Sequence, residues 1–404
     1  MRSLLKGMAA IIFAIFLTHH PTKSAIASDL PCQIPLKSVC LFSLAQDLAE
    51  NLVPAHHYIG QVAVAWTELG EVDEARKVIA SVPTFSPDRD DLLRRMAVAS
   101  AEQGAPDTMS SLLDEIGSAR TREIALREAS VALARAGFVD EARRHLPKFH
   151  LPEDRATLLA ALGAAEDAAG RKEAADRDFE EARASLRSGE TALSSLGIAL
   201  AQAGRFDAAK EIITRLSPGT ALYAVQVALV NGYLRNERLH EAVQVASEID
   251  NAGLENAAYL KIYTWLVERG DLKSSRLLAQ EKLGGVDDRK TRISRARAFA
   301  KNGLIEEAME TSAGLSDQDR SSVLYAIARY RLANEEIEAA VDAVPTIAHG
   351  RLRQDLLRLI ALSHLSEGRE EAALASVLQI EVERMRLNAL LDLAKQRGLD
   401  EKAR

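Results

Sequence analysis

The sequence predicts an all-α protein, a solenoid of about eleven tandem helix pairs of about 33 residues each. Three observations carry this. An apolar helical stretch is followed by a turn residue at Gly70, Gly104, Gly137, Gly170, Gly204, Glu237, Gly270, Gly303, Asn334, Gly368 and Gly398. Five residues past those turns stand Ala75, Met109, Ala142, Ala175, Ala209, Ala242, Ser275, Ala308, Ala339, Ala373 and Ala403. Hydrophobic residues make up 47% of the 404 but aromatics only 4%, so the core rests on Ala, Leu, Ile and Val, which suits closely packed helices. A chain of this length would ordinarily split into domains. A repeat array escapes that limit because each unit meets only its neighbours.

From the N-terminus, Arg2 and Lys6 precede an apolar run from Met8 to Leu17, and Ala25-Ile26-Ala27 precedes Ser28. That is the pattern of a secretory signal peptide, residues 1–27, cleaved after Ala27. The apolar run is half the length of about 20 residues that a membrane-spanning helix needs. The expected location is periplasmic or secreted, with no transmembrane segment in the mature chain. Residues 28–53 form a separate N-terminal segment. It holds both cysteines, Cys32 and Cys40, which in an oxidising compartment read as a disulfide worth about 2–3 kcal/mol. Residues 40–50 read as one helix, a half-repeat cap over the array that fills 54–404.

Within a repeat, the first helix ends at the turn, where Gly tolerates positive φ. The second helix must then lie close against the first, which a small residue one turn in permits. Gly137-Phe-Val-Asp-Glu-Ala142 and Gly204-Arg-Phe-Asp-Ala-Ala209 show the phrase most clearly. Leu193, Leu196, Leu200 and Ala203 give the first helix its apolar stripe; Ala209, Ile213 and Leu216 give one to the second. Arg89, Arg122, Arg155, Arg289, Arg320, Arg353 and Arg384 recur fourteen or fifteen residues before a turn, beside Asp88, Asp154, Asp288, Asp319 and Glu383. The expectation is an ion-pair ladder between the helix starts.

Trp66, Gly70 and Ala75, with Pro83, Pro147, Pro218 and Pro345 near repeat ends, resemble the large residue, turn glycine, packing alanine and closing proline of the tetratricopeptide repeat. The resemblance covers roughly residues 54–404. It implies a right-handed superhelix whose first helices line a concave, ligand-binding face. Most repeats lack that family's Trp and Leu-Gly. Its carboxylate clamp would need bases where Val227 and Leu260 stand, so a receptor for C-terminal peptides is not implied.

The chemistry of an enzyme is not visible. No zinc-protease helix, nucleophile elbow, phosphate loop or dinucleotide fingerprint occurs. His56 and His57 are adjacent, so on a helix they point about 100° apart and cannot clamp a metal together. No metal or cofactor is expected. Without residues 1–27 the chain carries 48 bases against 58 acids and no basic block, which excludes the footprint of a nucleic-acid binder. Trp66 and Trp265 read as packing residues.

Counting back from the turns, the resemblance places the concave face six and two residues before each turn. Six before, Val64, Val98, Val131, Ala164 and Ile198 give way to Asn231, Thr264 and Arg297. Two before, the same three repeats carry Arg235, Glu268 and Lys301. These six are the candidate site. The function expected is an exported scaffold binding a protein or extended peptide along its concave face. The alternative is an α-solenoid enzyme or carbohydrate-binding accessory factor of the cell envelope, using acids and Trp265.

Overall fold

The computed structural model describes residues 31–84, 86–186, 189–283 and 289–403. The expected signal segment, residues 1–27, lies outside them. Among the described residues there is no strand and there are twenty-two α-helices. The even-numbered ones are the first members of the pairs: α2 (Ala55–Glu68), α4 (Pro87–Glu102), α6 (Ala119–Arg135), α8 (Pro152–Ala168), α10 (Glu190–Gln202), α12 (Thr220–Arg235), α14 (Ala252–Glu268), α16 (Arg289–Lys301), α18 (Asp317–Ala333), α20 (Gly350–Ser366) and α22 (Glu383–Ala403). The second members are α3 (Val72–Val78), α5 (Pro106–Glu115), α7 (Val139–Arg143), α9 (Lys172–Ser185), α11 (Phe206–Ile213), α13 (Leu239–Ser247), α15 (Leu272–Lys282), α17 (Ile305–Thr311), α19 (Ile337–Ala343) and α21 (Glu370–Leu378). Before them all comes α1 (Ser38–Asn51). No described helix is long and apolar enough to cross a membrane.

Each pair turns by one device. Gly70 sits at φ 76°, and the N–H of Glu71 donates to the Trp66 carbonyl at 3.0 Å. The same return joins Arg205 to Leu200, Arg238 to Tyr233 and Arg369 to His364. This closure satisfies carbonyls orphaned at the helix end and requires a left-handed residue. Glu237 accepts that conformation at φ 59°. The ninth turn departs from expectation: Asn334 stays on the right-handed side as the helix cap, its side chain bonded to the Tyr330 carbonyl at 2.8 Å, and Glu335 makes the turn at φ 64°. The packing residue shifts with it, from Ala339 to the fully buried Ala340.

Consecutive even-numbered helices all touch, and α22 touches both α1 and α2. Successive odd-numbered helices stand farther apart and meet through long side chains, as in Arg76–Glu115 (2.6 Å), Arg143–Asp178 (2.7 Å) and Arg183–Glu211 (2.6 Å). The array is therefore a closed ring with the even-numbered helices inside. At about 9 Å between neighbouring axes, eleven of them make a circle roughly 30 Å across.

The seam is built by the two ends of the chain. Instead of capping the first unit alone, α1 takes the second-helix place beside α22. Phe42 of α1 stacks on Trp66 with ring centroids 3.8 Å apart. Arg397, almost fully buried, donates to the Leu36 carbonyl at 2.7 Å and pairs with Glu370 at 2.9 Å, while Glu370 accepts the Leu36 N–H at 2.7 Å. Glu401 accepts from the Ser38 N–H and hydroxyl at 3.2 and 2.5 Å. A disulfide joins Cys32 to Cys40, holding this segment to the first turn of α1. Leu36, Leu41 and Phe42 belong to one buried cluster with Leu387, Leu390 and Ala394, so the core runs through the seam.

Gly398 is a second correction. It lies inside α22 and makes no turn, so Ala403 packs no eleventh second helix. A Cβ at 398 would fall 2.6 Å from Leu69 Cδ1, so glycine here lets α22 approach the end of α2.

The periodic arginines are not a uniform ion-pair ladder. Arg89 donates to the Ile79 and Val82 carbonyls at 2.8 and 3.3 Å, and Arg122 to Ile116 at 3.2 Å, closing the ends of the preceding repeat. Arg155 and Arg289 do reach carboxylates, Glu181 at 2.8 Å and Asp319 at 2.6 Å. A short side chain gets no farther than the neighbouring turn, whereas a guanidinium can reach either that turn's carbonyls or the next repeat's acid. A second set was missed. Asp90, Ser321 and Gln354, each buried fourteen residues before a turn, accept N–H groups of Gly117 and Ser118, His349 and Glu381 at 2.7–3.0 Å. They pin the start of each following repeat.

Candidate functional site

All six candidate residues line one cavity of about 840 Å³ on the inner face, spread over α10, α12, α14 and α16. Local helix geometry explains the convergence. Asn231 and Arg235, Thr264 and Glu268, Arg297 and Lys301 are each four residues apart, hence on one face of their helices. Neighbouring helices then set the three pairs side by side. Small residues at Ala224, Ala228, Ala257 and Ala298 recess the wall between them.

The electrostatics are lopsided. Arg235, Lys261, Arg297 and Lys301 bring four positive charges, and Glu268 brings one negative charge. This sits within a chain whose overall charge is −7. The cations are lightly engaged: Lys261 Nζ lies 3.4 Å from Asn231 Oδ1, and Arg235 Nη2 lies 3.4 Å from the Gln202 carbonyl. Thr264 spends its proton on the Leu260 carbonyl at 2.9 Å, which leaves its oxygen as an acceptor toward the cavity.

Ile198, Val227, Leu260 and Trp265 supply the apolar part of the wall. Trp265 is half-buried, and the Arg269 guanidinium lies 4.3 Å from its ring centroid while pairing with Glu237 at 3.0 Å. The expectation that Trp265 only packs therefore needs amending: it packs and lines the cavity. Trp66, by contrast, is buried against Phe42.

Lys261 and Ser294 were missed by counting only two and six residues before the turn. Both stand nine before it, one helical turn further along the same stripe, so the 3.6-residue period could have found them. The lining offers a lone carboxylate, Glu268, and neither His nor Cys, a donor set poor for metal binding or for two-carboxylate catalysis. What it can do is hold oxyanions against an apolar wall. His56 and His57 lie elsewhere, exposed at the start of α2, with His56 3.5 Å from Asp88 and His57 3.2 Å from the Gln61 amide.

No protein-family model matches the chain, and no curated protein matches it. Among solved structures it is similar to Ton1535 from Thermococcus onnurineus NA1, at 15% identity and TM-score 0.28, over 73% of this chain and 96% of that one. It is similar to a Rap protein complexed with competence and sporulation factor, at 11% identity and TM-score 0.26, over 86% and 99%. A circular tandem repeat protein with novel repeat topology matches at 14% identity and TM-score 0.17, over 90% and 95%. Likenesses this distant carry no argument about function; the helical-repeat fold rests on the helices and turns described above.

Proposed function

We propose that this chain is an exported scaffold of tetratricopeptide type that takes an acidic, extended segment of a partner protein into the cavity over α10–α16. The observation that carries the reading is the excess of Arg and Lys over an apolar wall in an otherwise acidic protein. Electrostatic complementarity of this kind selects partners and speeds encounter. Crossing three helices at about 9 Å each takes roughly eight residues of extended chain at about 3.3 Å per residue. The protein is not an enzyme in this reading, and it needs no cofactor. The competing reading of an envelope enzyme or carbohydrate-binding factor has less support, because Glu268 has no second carboxylate beside it and Arg269 covers one face of Trp265.

Crosslinked pull-down from the native envelope tests this, comparing the natural chain with Asn231→Ala/Arg297→Ala. The variant should lose at least tenfold in affinity for the captured partner, with helicity and melting unchanged. Affinity should also fall as salt rises, since the screening length is about 10 Å at 0.1 M. A partner indifferent to both substitutions and to salt moves the site elsewhere. The chain recovered from the envelope should begin at Ser28; one that keeps Met1 in the cytoplasm removes the export claim.

A further inference from the structure

A second cavity, about 900 Å³, opens where the ring closes and is lined by α2, α4, α20 and α22. Its walls come from both ends of the chain, so it exists only while the seam is shut. Its acids are already engaged. Arg358 holds Asp355 and Asp392 at 3.0 and 2.7 Å, and Lys395 holds Glu68 and Asp392 at 3.1 and 3.4 Å. Three other cations on the lining, Arg95, Arg351 and Arg384, have no carboxylate or hydrogen-bond partner among the described residues. Arg95 reaches the seam because Gly60 leaves room for it: a Cβ there would lie 2.1 Å from Leu92 and 3.2 Å from Arg95 Nη1.

The three guanidiniums sit on α4, α20 and α22, with α2 between α22 and α4. At about 9 Å per helix they spread over more than 20 Å of the inner ring. A compact anion meets one or two of them, whereas a chain of spaced carboxylates meets all three, each fork matching a carboxylate bidentately. Between the cations the wall mixes apolar side chains, Tyr58, Val64, Leu352 and Met385, with the polar His57, Gln61, Gln354 and Asn388.

We propose that the seam cavity is a second binding site, separate from the one over α10–α16, for an acidic peptide segment whose carboxylates alternate with apolar side chains. Because the ligand touches both ends of the chain, it binds the closed ring in preference to an open one and so stabilises closure.

Calorimetric titration of the intact chain at low salt with the decapeptide of five Glu-Leu units, whose outer glutamates stand about 26 Å apart when extended, tests this. Two sites are expected. Arg95→Gln/Arg351→Gln/Arg384→Gln should remove one of them, weakening it at least tenfold, without changing melting, since none of these side chains is paired. Arg235→Gln/Arg297→Gln should remove the other. Leu352→Ala/Met385→Ala should weaken the seam site alone. A titration unchanged by the triple substitution overturns the seam site and leaves the proposed function standing; one unchanged by Arg235→Gln/Arg297→Gln does the reverse. Tripolyphosphate binding the seam more tightly than the peptide, with Leu352→Ala/Met385→Ala having no effect, would overturn the peptide as the ligand class.

Discussion

The cavity over α10–α16 and the cavity at the seam share two parts, inward-facing residues of neighbouring first helices and an excess of Arg and Lys, though the wall is more polar at the seam. They lie on opposite sides of the ring. They differ in how the chain brings those parts together. Over α10–α16 each helix is followed about 33 residues later by its neighbour, so the site forms wherever those repeats fold. At the seam, residues near 60 meet residues near 390, and the contact depends on Arg397, Glu370 and Glu401 gripping the segment that leads into α1. Two cavities rich in Arg and Lys therefore answer to different parts of the fold, one local and one global.

The largest expected effect tests that division. Arg397→Ala leaves the largely buried Glu370 without its cation, a loss of about 3–5 kcal/mol. The ring should open: the radius of gyration from solution scattering rises, and amide protection falls in α1 and α22 while α10–α16 stay protected. Uniform loss of protection around the ring would show that closure holds the whole array together rather than one seam.

Ala209→Leu sharpens the comparison from the other side. Ala209 is fully buried where α11 lies against α10, and overpacking there costs about 1–3 kcal/mol. Hydrogen exchange should quicken in α10–α13 and leave the seam untouched, since a repeat passes strain mainly to its neighbours. Exchange that quickened at α1 and α22 instead would break the distinction.

The smallest effect is a pH response. Burial, aided by Lys148, holds the His145 imidazole below its ordinary value, and burial, aided by Arg369, does the same for His364 near the seam. Each ring takes up a proton less readily folded than unfolded, so the unfolded chain binds more protons once the pH drops below about 6.5. Their contribution is full above that pH and is lost as the pH falls through the lowered folded values. His364→Gln should flatten the acid loss of protection in α20 and α22, and His145→Gln that in α6–α8. Equal flattening in both places from either substitution would mean that the response is global.

Much of this was legible in the residues. Turn glycines and packing alanines report contacts within one helix pair, and a pattern of that range survives in sequence. The six candidate residues were singled out because three neighbouring repeats change character together on one helix face, and the structure brings them to one cavity. Lys261 and Ser294 escaped only because the stripe was counted one turn short. Gly398 shows the limit. In sequence it has the spacing of another turn; in the structure it is the close approach of α22 to Leu69, a residue more than 300 positions away.

By itself, then, the sequence determined the helix pairs, their period, their turns and the polar face of the middle repeats, because each depends on residues within about one repeat. Closure was decided by the tertiary structure. Eleven repeats meet end to end only if each rotates about 33° from the last, and a solenoid's curvature is the sum of such small steps. An error of a few degrees per repeat accumulates to tens of degrees over the ring, the difference between an open spiral and a seam where Arg397 meets the Leu36 carbonyl. No local pattern encodes that sum. The seam, its buried clasp and its cavity appear only once all eleven angles have been added.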